Sequence, residues 1–342
     1  MRRLFADIHR HDIEAAIRVA VAVGLPLLAL DAIGRLDLAV YAAFGGLAML
    51  YGHGEPAKRR AESQIVAGIG LVVTIAVAMA YSAAQAPAAV LGVLLAVTVI
   101  AAATLGAAMR WVPRGEMFFV LVLLIIADIP TSWDRLPLCI AVSAGGAAFS
   151  VLLALLNRIG APEGKSGGEP QPDGWRRRMA AGYAALDRGQ HRVLVVAATL
   201  GVLTAWSLAL ALGVGNPFWA AVTVAALMPA LAAPDVWRRT VHLMLGTLGG
   251  VAIATFLFSF DPGHLALIAI IVVCQAAAEI AVSRNYGVAL LFFSPLAIAM
   301  SNLSRGAPWQ PLLIDRLAEA AIGTAVAFVV ILAGRRILAK IG

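Results

Sequence analysis

Charged and polar side chains are scarce in this chain, and those set inside long apolar runs are the ones whose chemistry needs a reason. A charge at the centre of a membrane costs roughly 2.5 kcal/mol or more. Three groups qualify. Asp315-Arg316-x-x-Glu319 opens the last apolar run, and Asp134-Arg135 is its counterpart in the first half. Asp315 suits a helix N-cap and Arg316 can pair with Glu319 one turn on; the functional alternatives are a gate or, at Glu319, proton coupling. Gln275 and Glu279 stand four residues apart, followed by Arg284-Asn-Tyr286. A carboxylate withdrawn from water is a candidate proton-coupling group, with an ion pair to Arg284 or to a neighbouring helix as the structural alternative. Arg59-Arg60 with Gln64, and Arg238-Arg239 with His242, head two glycine-bearing runs. They suit an entrance for an anion, or simple anchoring at lipid headgroups. Asp128 is a further gating candidate. Tyr41 and Trp219 head two short runs, where an aromatic ring serves either as an interfacial anchor or as a stacking face for an aromatic substrate.

The elements that hold these residues must be helices in lipid. Of 342 residues, 61% are hydrophobic and 13% charged, with a mean hydropathy of +0.90, far from the composition of a soluble domain. In a bilayer every backbone polar group must be satisfied within the segment, at about 20 residues per span. Apolar runs fall at about 13–33, 38–51, 62–83, 87–108, 116–130 and 136–157, then at 191–213, 217–232, 239–259, 263–283, 286–302 and 315–337. Twelve transmembrane helices are expected. The second and fifth of each half are short, which predicts tilted or broken elements around a polar centre.

The halves echo one another. Val40-Tyr41-Ala-Ala matches Phe218-Trp219-Ala-Ala, Arg59-Arg60 followed by Gly68 and Gly70 matches Arg238-Arg239 followed by Gly246 and Gly249, and Asp134-Arg135 matches Asp315-Arg316. The reading is a diverged duplication: residues 1–157 form one six-helix repeat with a juxtamembrane N-terminal segment, 158–190 a cytoplasmic linker, and 191–342 a second repeat. With both termini inside, 22 of the 26 Lys and Arg residues face the cytoplasm, as the positive-inside rule requires. Both repeats then enter from the same side and are parallel, related by a pseudo-twofold axis along the membrane normal. The net charge of +7 is explained by topology and anionic lipid, without nucleic acid. Gly164-Lys165-Ser166 resembles the end of a phosphate-binding loop, but Gly160 is one residue too close and no strand precedes it. Cys139 and Cys274 have no partner at ligand spacing and are read as packing residues; no metal or other cofactor is expected.

The aromatic-Trp-Ala-Ala helix start, the Arg-Arg turn, the Gly-x-x-Gly-Gly helix and the final Asp-Arg-Leu…Gly-Thr-Ala helix resemble the fusaric-acid-resistance (FUSC) family of bacterial inner-membrane proteins. That family includes aromatic carboxylic acid exporters and is distantly related to aluminium-activated malate channels. The resemblance is best over 191–338 and weaker over 13–157, where Tyr41 replaces the Trp. It implies a multi-pass inner-membrane protein that exports small aromatic or other organic carboxylic acids. Proton coupling is the expected drive, with a passive anion channel or a non-transporting scaffold as alternatives. An enzyme is not expected, because no catalytic cluster falls on one membrane side. The expected partners are an organic anion and the bilayer; a homodimer is allowed but not required by two fused repeats.

Overall fold

The computed structural model describes residues 10–52, 55–111, 116–156, 174–232, 236–282, 286–305 and 309–341. Each apolar run of the sequence forms a helix, and no strand occurs among the described residues. The first half comprises α1 (Arg10–Ala32), α2 (Ala39–Gly46), α3 (Ala57–Ala83), α4 (Ala88–Met109), α5 (Met117–Ala127) and α6 (Leu136–Leu156). A linker helix, α7 (Trp175–Ala184), precedes α8 (Arg188–Ala211), α9 (Phe218–Leu227), α10 (Val236–Phe258), α11 (His264–Val282), α12 (Tyr286–Arg305) and α13 (Trp309–Ile341). Eight of these are long and apolar enough to cross a membrane, while α2 with its flanking turns, α5, α9 and α12 form a shorter class.

Local chemistry sets several boundaries. Pro56, Pro87 and Pro217 stand immediately before α3, α4 and α9, where a fixed φ costs nothing and no donor is lost. Asp187 caps α8, accepting hydrogen bonds from the backbone N–H of Gly189 at 2.8 Å and of Gln190 at 3.1 Å. The last helix departs from expectation. It begins at Trp309, with Pro311 in its first turn, so Asp315 lies within the helix and is not its N-cap. A proline in a first turn gives up an N–H that has no intrahelical acceptor, which is why the helix can start early.

The short helices are enclosed by protein. At about 1.5 Å per residue, the eight residues of α2 and eleven of α5 span less than ~17 Å of a hydrocarbon core ~30 Å thick. Their ends therefore fall at membrane depth and need protein around them. Every residue of α2 is buried, as is every residue of α9 except Trp219. The chain leaves α2 through a 3₁₀ turn, Leu47–Leu50, and Gln64 of α3 closes it by donating to the carbonyls of Met49 at 3.2 Å and Tyr51 at 3.5 Å. A second 3₁₀ turn, Met228–Ala232, follows α9.

Packing in the two halves corresponds pair by pair. α2 lies on α6 as α9 lies on α13, and α3 packs on α5 and α6 as α10 packs on α12 and α13. Between halves the partners exchange: α1 packs on α11 and α8 on α4, while α2 touches α12 and α9 touches α5. Such exchange is what a twofold relation produces. Glycine permits the closest approaches. A Cβ at residue 323 would meet the Ala220 carbonyl and Thr223, so α13 can lie directly on α9, and one at residue 246 would meet the Gly287 carbonyl across α10 and α12.

The linker helix is docked. Arg176 and Arg177 are exposed, but Arg178 is buried, paired with Glu55 at 2.7 Å and Glu62 at 3.5 Å and donating to the Arg59 carbonyl at 3.2 Å. Gly182 lies against the Ala108 carbonyl of α4.

Candidate functional site: a cavity between the halves

The four short helices, together with α1, α10, α11 and α13, enclose a cavity of about 120 Å³. Its wall is more apolar than the sequence led us to expect, and unevenly so. Every lining side chain from the first half is apolar, Phe44, Leu121 and Ile125 among them. The polar ones, Trp219, Thr223, Thr247, Gln275, Ser301 and Arg316, all come from the second half. An apolar cavity of ~150 Å³ accepts benzene, so this space is on the scale of one aromatic ring.

The chemistry concentrates where α9 meets α13. Counting seven residues from Trp309 at ~1.5 Å each puts Arg316 about 10 Å along α13, away from the arginine-rich end that carries Arg335 and Arg336. Its guanidinium carbon lies 4.2 Å from the centroid of the Trp219 ring, a cation–π distance. Phe218 supports that ring at 5.3 Å. Asp315 is engaged by the Asn216 side-chain amide, which donates to it at 2.8 Å. Glu319, one turn further along α13, is completely buried, and neither of its oxygens accepts a hydrogen bond from a described side chain. Arg316 and Trp219 line the cavity, while Glu319 sits in the α9–α13 seam beside them.

Other residues singled out from the sequence fall elsewhere. Tyr41 is buried on α2 but turned from the cavity, hydrogen-bonded with Cys139 of α6. Gln64 serves the 3₁₀ turn described above, and Arg60 is half-buried, donating to the Glu55 carbonyl at 3.0 Å. His242 is half-buried on α10, one position from the cavity-lining Leu243. Glu279 lies within electrostatic reach of Arg18 on α1, a neighbouring-helix partner of the kind the sequence left open. Asp128 is exposed at the end of α5. Arg284 and the Gly164-Lys165-Ser166 stretch lie outside the described residues, as do the side chains of Arg239 and Tyr286.

Sequence reasoning missed two things. The hydroxyls of Thr223, Thr247 and Ser301 carry no distinguishing signal among many Ser and Thr residues in apolar runs. Nor did it find the aromatic plug beneath the cavity, in which Tyr51 meets Trp111 edge-on at 4.8 Å, with Phe118 and Phe119 beside them. Glu116, preceding α5, is buried beside this plug. Glu116 heads the apolar run 116–130 and was not singled out, because the residues that surround it are distant in sequence.

Comparison with known proteins agrees with this architecture. Residues 181–330 match the family model described as fusaric acid resistance protein-like. An uncharacterized membrane protein of Bacillus subtilis (strain 168), YvaC, is 26% identical over 164 residues, covering 46% of this chain and 26% of that protein. The match thus spans about a quarter of the curated relative's length. No solved structure matches the chain. The chain is a multi-pass membrane protein whose residues 181–330 are similar to the fusaric acid resistance-like family.

Proposed function

We propose that the protein is a secondary transporter that exports small aromatic or other organic carboxylic acids across the bacterial inner membrane, coupled to protons. The observation that carries this reading is the Arg316 guanidinium stacked on Trp219 in the wall of a cavity shared by the two halves. A guanidinium offers a planar fork of donors to a carboxylate. The apolar wall from the first half offers contact to a ring, and the volume is on the scale of one ring. The exchanged packing of α1 on α11 and α8 on α4 supports a movement in which one half rocks against the other about that site.

Flux in proteoliposomes tests it. Labelled single-ring aromatic carboxylates should move faster than through protein-free vesicles, and faster than malate or a two-ring acid. No flux for any organic anion would sink the proposal. Flux that reverses at the anion's Nernst potential and ignores a pH gradient would select a passive channel instead.

A further inference from the structure

Glu319 has no task in the substrate site so far, yet it is a completely buried carboxylate one helical turn from the cavity-lining Arg316. It shares a stripe of α13 with Arg316 and Gly323, and that stripe lies on α9 at Trp219, Ala220 and Thr223. The charged groups facing it are Arg316 and Asp315 of its own helix, and the backbone of Asn216 approaches it from the chain leading into α9. Asp315 is engaged by the Asn216 amide. Among the described residues, α8, α9, α10 and α12 bring it no charged side chain. His242 of α10 lies beyond Met244, whose sulfur meets Thr324, more than a turn from Glu319 along α13. One cation therefore answers both Glu319 and any anion that enters the cavity at Arg316.

Resting on the carboxylate-site reading above, we infer that Glu319 carries the transported proton: its carboxylate and the substrate carboxylate compete for Arg316, so the anion binds with a proton on Glu319 and the two travel together. On the loading side the anion takes Arg316 and Glu319 takes a proton from solution. On the release side the anion leaves, Arg316 returns to Glu319, and the proton departs. The cycle moves one anion and one proton in the same direction and no net charge. By linkage, whatever the anion does to proton affinity the proton does to anion affinity. Coupling is thus cotransport, and export runs down the outward gradient of the acid.

The test uses the full chain and benzenesulfonate, an aromatic anion whose own charge does not titrate and which crosses lipid poorly. Binding to detergent-solubilised protein is measured by calorimetry from pH 5 to 8. In the wild type, affinity should fall with rising pH, by up to about tenfold per pH unit, with proton uptake seen as a dependence of the heat on buffer ionisation enthalpy. Glu319→Gln should bind without pH dependence or proton uptake, and Glu319→Asp should restore both; a monodisperse gel-filtration profile shows that each variant is folded. In proteoliposomes, an outside-acid gradient should drive accumulation of benzenesulfonate by the wild type and not by Glu319→Gln. Binding with no pH dependence, a pH slope retained by Glu319→Gln, or accumulation under an inside-acid gradient each overturns the inference and leaves the anion site standing. Absence of binding by benzenesulfonate and by carboxylates at every pH removes the site and the inference together.

Discussion

Set side by side, the matching ends of the two halves differ in where they place their charge. In the second half, Asn216 and Trp219 converge on Arg316 and Glu319, which are buried. Aligned on Tyr41 with Trp219 and on Arg135 with Arg316, the corresponding positions of the first half are Leu38, Tyr41, Arg135 and Leu138, with Asp37 immediately before Leu38. There the arginine stays at the surface, paired with Asp37, which also takes Arg35 at 3.0 Å. The Arg135 and Asp37 side chains are 44% and 42% exposed, against 6% for Arg316. Tyr41 turns to Cys139, and Leu138 stands exposed where the second half has its buried acid. An exposed pair contributes little, about 0–1 kcal/mol. Buried charges cost several kcal/mol to desolvate, so stability alone does not account for Arg316 and Glu319. The first half supplies an apolar wall to the cavity, and the second supplies its polar side chains.

Substitutions can break that contrast. The largest effect is expected for Arg316→Gln, which should lower aromatic carboxylate flux by ~100-fold or more, as loss of one partner of a buried charged contact does. Arg135→Gln should change it less than twofold. Equal losses in the two would show that the halves share the work.

Next comes Trp219→Tyr, which gives the second half the residue of the first. Losing the better cation–π face should raise the apparent KM about three- to tenfold, while Tyr41→Trp, away from the cavity, should leave KM unchanged.

Glu116 sharpens the comparison from the other direction, because it is a buried acid that the first half uses without a substrate. It is 3% exposed, and a carboxylate withdrawn from water costs stability. Glu116→Gln should raise the thermal midpoint in detergent by ~2–4 °C or more and leave the pH dependence of anion binding intact. The smallest effect belongs to Asp37→Asn: loss of an exposed pair should shift the midpoint by less than ~2 °C, with flux unaltered.

Much of this molecule was legible before its fold. The bilayer gives backbone groups no alternative partner, so uninterrupted apolar runs had to be helices, and the twelve predicted ranges correspond to α1–α6 and α8–α13 within a few residues at most ends. Trp219, Arg316 and Glu319 stood out one by one, because charge or an indole inside an apolar run is an anomaly at any position. The errors came where a residue's partner lies far along the chain. Asp315 looked like a cap because its own neighbours suit one, but the helix starts six residues earlier and its partner is Asn216, 99 positions away. Gln64 looked like part of an anion entrance, and it closes a turn on α2. Arg178, within the linker range and not singled out from the sequence, is buried on Glu55, 123 positions back.

What the chain order determined by itself is therefore the set of helices and the short list of costly side chains, since each follows from local composition against a solvent without hydrogen bonds. The tertiary structure alone decided which costly side chains meet. Trp219 and Arg316 become one surface only because Gly323 lets α13 lie directly on α9, and the cavity beside them exists only because helices too short to span are walled in by both halves. Close packing between distant segments is a property of shapes in three dimensions, which the local pattern of any one helix does not contain.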